Sequence, residues 1–150
     1  MHPLQLLSDT VVWAGKNLSY NLNSIPDDKL SFKPAPEAKS ALEISSEVVH
    51  VLQMFTAILQ NQKPAETPVS FATRDEAKAA LETASAAYGL LLLSLGDNDL
   101  IGEMQLPFGA MPKAQAIALP VVETIHHHGQ IAYIQTILGD TESHFFEMGT

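Results

Sequence analysis

The chain has 150 residues, of which 46% are apolar and 17% charged, a balance that supports a packed core and not a disordered chain. Seventeen acidic residues against eight basic ones give a formal charge of −9, which works against nucleic-acid backbones and anionic lipid as partners. There is no cysteine, so disulfides, thiolate metal sites and cysteine nucleophiles are excluded.

This length suits one domain, and no repeat or break in composition divides residues 1–150. No N-terminal stretch has the basic, apolar and small-residue order of a signal peptide. No uninterrupted apolar run approaches the roughly 20 residues of a membrane span. The expectation is a cytoplasmic protein with no membrane role.

Periodicity predicts four helices and no strand. The first runs from Pro3 to Leu22, with Leu4, Leu7, Val11, Ala14, Leu18 and Leu22 on one apolar stripe. A loop from Ile25 to Lys39 follows, interrupted by Pro26, Pro34 and Pro36. Ser40-Ala41-Leu42-Glu43 then reads as a capping box. The second helix turns Ile44, Val48, Val51, Leu52, Phe55, Ile58 and Leu59 inward and stops near Asn61, before Pro64. Thr73 is the predicted N-cap of the third helix, with Asp75 and Glu76 at the positive end of its dipole, and Gly96 closes it. The connection from Asp97 to Lys113 is too long for a tight turn, and Phe108 and Met111 within it are candidate walls of a substrate cleft. The fourth helix spans Ala114 to Leu138, with Gly139 as its C-terminal cap; Pro120 either kinks it or marks its start. Four rods of about 20 residues, each ~30 Å long, make an all-α four-helix bundle. In the tail, Asp140 to Thr150, Phe145 and Phe146 are placed to pack on the bundle or on a second subunit.

The chemistry concentrates in Glu123-Thr124-Ile125-His126-His127-His128-Gly129-Gln130. Glu123 and His127, four apart, share the helix face that Ile131 and Ile134 continue. An acid on an apolar face is costly unless paired, and a divalent cation would pair it with the imidazole. The same two residues could instead hydrogen-bond each other. A catalytic site takes three protein ligands and leaves one position open. His50, the one histidine of the second helix, stands on the shoulder of its stripe beside Glu47 and Met54. It is the third candidate, though a single histidine there is more often a hydrogen-bonded or half-exposed side chain than a ligand. Three consecutive histidines point three ways, so His126 and His128 are not both ligands. Glu47, Tyr88 and Tyr133 read as structural or supporting groups, and His2 and His144 as exposed.

Three blocks resemble the DinB-like (DinB/YfiT) superfamily of metal-dependent enzymes. Ile25-Pro26-Asp27-Asp28-Lys29-Leu30-Ser31-Phe32-Lys33-Pro34 is similar to its loop after helix one. Ser40 to Ile44, leading to His50, resembles its helix-two start and first metal histidine. Glu123 to Gln130, continuing to Leu138-Gly139, resembles its helix-four motif, in which two histidines four apart precede Arg-Gly-Gln. On that alignment His127 takes the place of the last ligand and His128 that of the arginine. Glu123 replaces a histidine, with His126 as the fallback.

The resemblance implies a DinB/YfiT-like bundle that pairs into a homodimer. It implies a divalent metal, zinc or nickel first and iron as a further candidate, held by His50, Glu123 and His127. It further implies a hydrolase or small-thiol transferase in which the metal activates water or the thiol of a low-molecular-weight substrate. No general base beyond the ligands and no nucleophile motif appears, so no other catalytic residue is assigned. The competing expectation is a non-catalytic, stress-associated helical dimer with a structural or vestigial metal site. Eight scattered basic residues give no nucleic-acid surface.

Overall fold

The computed structural model describes residues 1–147. Four helices carry the fold: α1 (Pro3–Asn21), α2 (Ala41–Leu59), α3 (Arg74–Ser94) and α4 (Lys113–Ile137). Between α3 and α4 lie two short strands, β1 (Glu103–Leu106) and β2 (Gly109–Pro112). α1 and α2 each pack against both α3 and α4, which places α1 diagonal to α2. The axis of the bundle is filled by Leu18, Leu22, Leu52, Phe55, Leu81, Tyr88, Ile117 and Ile131, all fully buried.

Local chemistry sets the helix ends. Ser40 and Glu43 form the expected capping box: the Glu43 amide donates to Ser40 Oγ at 3.3 Å and the Ser40 amide to Glu43 Oε2 at 2.8 Å. Thr73 and Glu76 repeat the device on α3. α4 ends at Gly139, whose φ of +99° suits a residue without Cβ. The Gly139 amide donates to Thr136 and the Asp140 amide to Gln135, a Schellman closure. Pro120 lies inside α4, not at its start. By length and composition α2 is apolar enough to cross a bilayer, but Val48, Leu52 and Phe55 on it are buried in the core.

The connection between α3 and α4 differs from the expected loop. β1 and β2 pair antiparallel, with Met104 opposite Met111 and Leu106 opposite Gly109. Met104 and Leu106 point inward, and four residues of alternation are too short to stand out in a sequence. The tail returns to its own bundle. Gln135 Nε2 donates to the carbonyls of Asp140 and Glu142, and the Phe145 ring stacks on His128 at 5.2 Å and meets Trp13 edge-on at 5.8 Å.

Candidate metal centre

Glu123 and His127 lie one turn apart on α4 and open into a cavity of about 720 Å³. Glu47 of α2 lines it from across the bundle, Ile44 and Ile134 are among its apolar walls, and Lys39 and Pro34 belong to the loop that closes its other side. His127 is buried, with its side chain 7% exposed, while Glu47 and Glu123 are each 34% exposed.

The orientation of His127 is fixed by its neighbour one turn on. His127 Nδ1 donates to Gln130 Oε1 at 2.7 Å, and Gln130 Nε2 donates to His126 Nε2 at 3.3 Å. With the proton on Nδ1, the neutral ring presents a lone pair at Nε2. That atom has no hydrogen-bond partner among the described residues. It lies 3.3 Å from Glu123 Oε2 and 3.8 Å from Glu47 Oε2. Two ligands of a tetrahedral ion, each at about 2.1 Å, stand about 3.4 Å apart. The His127–Glu123 pair therefore has the spacing of a ligand pair, and the His127–Glu47 pair is wider by about 0.4 Å. Glu47 Oε2 also accepts from Lys39 Nζ. Among the described residues, no group of three or more His, Cys, Asp or Glu side chains is gathered so as to hold a metal ion.

The expected set of His50, Glu123 and His127 is thus not brought together as a whole. His50 lines a neighbouring groove of about 620 Å³ with Ser46, Pro68, Ser70 and Phe71, and Glu47 and Lys39 are shared between the two. The physical reason is helical phase. On a helical wheel His50 is about 140° from the centre of the α2 apolar stripe, and Glu47 about 80°. Glu47 is the α2 carboxylate that reaches toward His127 of α4, at 3.8 Å. Nor do Phe108 and Met111 wall the cavity, because the hairpin packs on the other end of α4 and the 34–39 loop takes that role.

The remaining histidines separate cleanly. His126 is exposed at the cavity mouth, its ring edge-on to that of His127 at 5.1 Å. His128 is buried on the opposite side, where its Nε2 donates to Asn21 Oδ1 at 3.1 Å, and burial holds its pKa below the ordinary imidazole value. Asn21 donates in turn to Gln135 Oε1 at 2.8 Å, tying α1 to α4. His2 caps α1 and pairs with Asp97 at 2.7 Å; His144 pairs with Asp140 at 2.9 Å.

A profile of the DinB superfamily matches residues 11–131, most of the chain, including Glu47, Glu123 and His127. The chain belongs to the DinB superfamily. Two solved structures agree with that assignment at the level of the fold. A DinB-like protein from Bacillus subtilis superposes with a TM-score of 0.70 at 19% identity, over 91% of this chain and 94% of its own. A conserved protein from Enterococcus faecalis superposes with a TM-score of 0.71 at 18% identity, over 93% of this chain and 99% of its own. No curated protein matches the chain. Within this DinB-superfamily bundle, Glu47, read from the sequence as a structural or supporting group, lines the same cavity as Glu123 and His127. The available signal was its position on the α2 wheel, nearer to the core stripe than His50.

Proposed function

We propose that this cavity is the reaction site of a metal-dependent enzyme of the hydrolase or small-thiol transferase type. In this reading His127, Glu123 and Glu47 hold one divalent cation, with Glu47 in the place first expected of His50. The observation that carries it is His127 Nε2, buried, unpartnered and facing two carboxylate oxygens. A lone pair and two anions converging in a part-buried site repel one another unless a cation stands among them. One imidazole and two carboxylates suit zinc, nickel or ferrous iron.

When bound, such an ion supplies Lewis acidity that brings the pKa of water or a thiol toward neutrality. The chain's own groups do the rest. Gln130 holds the His127 ring with Nε2 toward the cavity. Ile44 and Ile134 give a small substrate an apolar surface, and His126 and Tyr133 stand at the mouth as polar groups within its reach.

A cytoplasmic homodimer belongs to the same reading. α4 carries only Lys113 and Glu123 as fully charged residues, and Val122, Ile125 and Ile137 form an exposed apolar stripe on its outer face. A second copy would cover that stripe.

The test is the metal content of protein purified without a histidine tag. One stoichiometric ion, lost in His127→Ala and in Glu123→Gln, is the expected result. A metal-free native protein whose melting temperature is unmoved by chelator or by added zinc, nickel or ferrous iron would overturn it. That second result would favour a non-catalytic helical dimer, a reading to which the Lys39–Glu47 ion pair lends specific support.

A further inference from the structure

Glu47 Oε2 has two claimants. It is the oxygen 3.8 Å from His127 Nε2, and the same atom accepts from the Lys39 ammonium. Lys39 sits immediately before the capping box of α2, so its backbone is anchored while its side chain reaches along the first two turns to Glu47. Among the described residues it is the one basic side chain that lines both the His127 cavity and the His50 groove. Lys33, another lysine of the loop between α1 and α2, pairs with Glu43 at 2.8 Å and lines the groove but not the cavity.

An ammonium and a dication compete for this carboxylate. Each is drawn by the same negative charge, and each repels the other at the separation the shared oxygen would impose. With Lys39 on Glu47, only the His127–Glu123 pair stands at ligand spacing, and the third ligand is engaged elsewhere. We infer that Lys39 is a built-in counter-cation of the site: it holds Glu47 when no metal is bound and is displaced when a divalent ion takes that carboxylate. The inference rests on the metal reading above and adds to it a residue that sets how tightly the ion is held. Lys39 is then a positioning residue, acting through Glu47 and not on a substrate.

The competition makes a prediction opposite to ordinary loss of function: removing Lys39 strengthens metal binding. Zinc is titrated calorimetrically into wild type, Lys39→Met, Lys39→Arg and Lys33→Met at one pH and ionic strength, with His127→Ala as the background. Lys39→Met should bind zinc about three- to tenfold more tightly than wild type, the range expected for releasing a half-exposed ion pair. Lys39→Arg, which keeps the competing charge, should show no such gain. Lys33→Met should stay within about twofold of wild type, because a distant exposed charge is screened. Zinc binding that is unchanged or weakened in Lys39→Met, or strengthened equally by Lys33→Met, would overturn the role of Lys39 and leave the metal site standing. Absence of zinc binding above the His127→Ala background in all the variants would overturn both. Thermal melts of each variant without metal confirm that the comparison is made between folded proteins.

Discussion

Gln130 Oε1 accepts the Nδ1 proton of His127 at 2.7 Å and so decides which nitrogen of that ring faces the cavity. The amide is exposed, so it contributes little to the core, and its effect lies in the tautomer. In the metal-free protein, nitrogen chemical shifts of the His127 ring should report a single Nδ1–H tautomer. Gln130→Leu should give a mixture of tautomers with a nearly unchanged melting temperature. On the metal reading, the same variant should weaken zinc binding by about 10- to 100-fold, the usual cost of losing a partner that orients a ligand histidine. A single tautomer in Gln130→Leu would remove the orienting role.

The sites in this chain that were legible in advance are those where a residue acts on its own backbone. Ser40 with Glu43, Thr73, and Gly139 each satisfy helix-terminal groups within a few residues, so their meaning is local. The α1 stripe is legible for the same reason, since a 3.6-residue period is written in one segment; on α2 the buried face is rotated from the expected one, with Ala41, Leu42 and Val49 buried and Val51, Ile58 and Leu59 only half-buried. What pairs across the bundle is not legible. Glu47 meets His127 because of the rotation of α2 against α4, which neither helix specifies alone. His50 drew attention as a histidine, although its phase turns it toward the groove behind Glu47. The hairpin of β1 and β2 holds only two inward side chains on β1, Met104 and Leu106, too few to establish alternation.

The buried imidazole of His128 gives stability a pH dependence of known sign. Burial lowers its pKa in the folded protein, so at acid pH the unfolded chain takes up a proton there that the folded chain does not. The contribution is complete above the ordinary histidine pKa near ~6.5 and declines as pH falls from that value toward the lowered one. One such group imposes a slope of at most about 1.4 kcal/mol per pH unit. Urea unfolding between pH 7.5 and 5 should therefore show a shallower loss of stability in His128→Gln, which keeps a donor for Asn21, than in wild type. Equal slopes would mean that His128 does not carry the effect.

α1 and α3 approach closely enough that a methyl group has no room. A Cβ at Gly15 would lie 2.6 Å from Ser85 Cβ and 2.3 Å from its Oγ. Ser85 is itself buried and donates to the Leu81 carbonyl at 2.8 Å, so it cannot simply swing aside. Gly15→Ala should destabilise the protein by about 1–3 kcal/mol, the range for overpacking, despite alanine's better helix propensity. Adding Ser85→Gly removes both clashing atoms and should recover part of the loss, as a double-mutant cycle in urea would show.

The apolar outer stripe of α4 sets the expected oligomeric state. Ile125 is 47% exposed at its centre, so replacing it with aspartate disturbs little within one copy. If a second copy covers the stripe, Ile125→Asp should convert a dimer into a monomer in sedimentation at unchanged melting behaviour of the monomer. A wild-type protein that sediments as a monomer at tens of micromolar would remove the dimer from the proposal while leaving the cavity as it is.

Pro120 opens a gap in the α4 ladder, and Tyr88 closes in beside it. Proline has no amide to give to Ala116, so that carbonyl lacks its usual partner in the α4 ladder. The Tyr88 hydroxyl, fully buried on α3, donates to the Ile117 carbonyl at 2.7 Å, three residues before the proline. Burial pushes its pKa up, so the hydroxyl is a neutral donor at neutral pH. Tyr88→Phe keeps the ring and its packing but leaves that carbonyl without its side-chain donor in a dry core. The expected cost is about 0.5–1.5 kcal/mol in urea unfolding, that of one buried hydrogen bond, because the carbonyl keeps its partner within the helix. Since the turn around Ile117 leads directly to Glu123 and His127, the variant should also speed amide exchange across residues 116–124. Unchanged exchange there would mean that this turn is held by α4's other contacts and that Tyr88 serves packing alone.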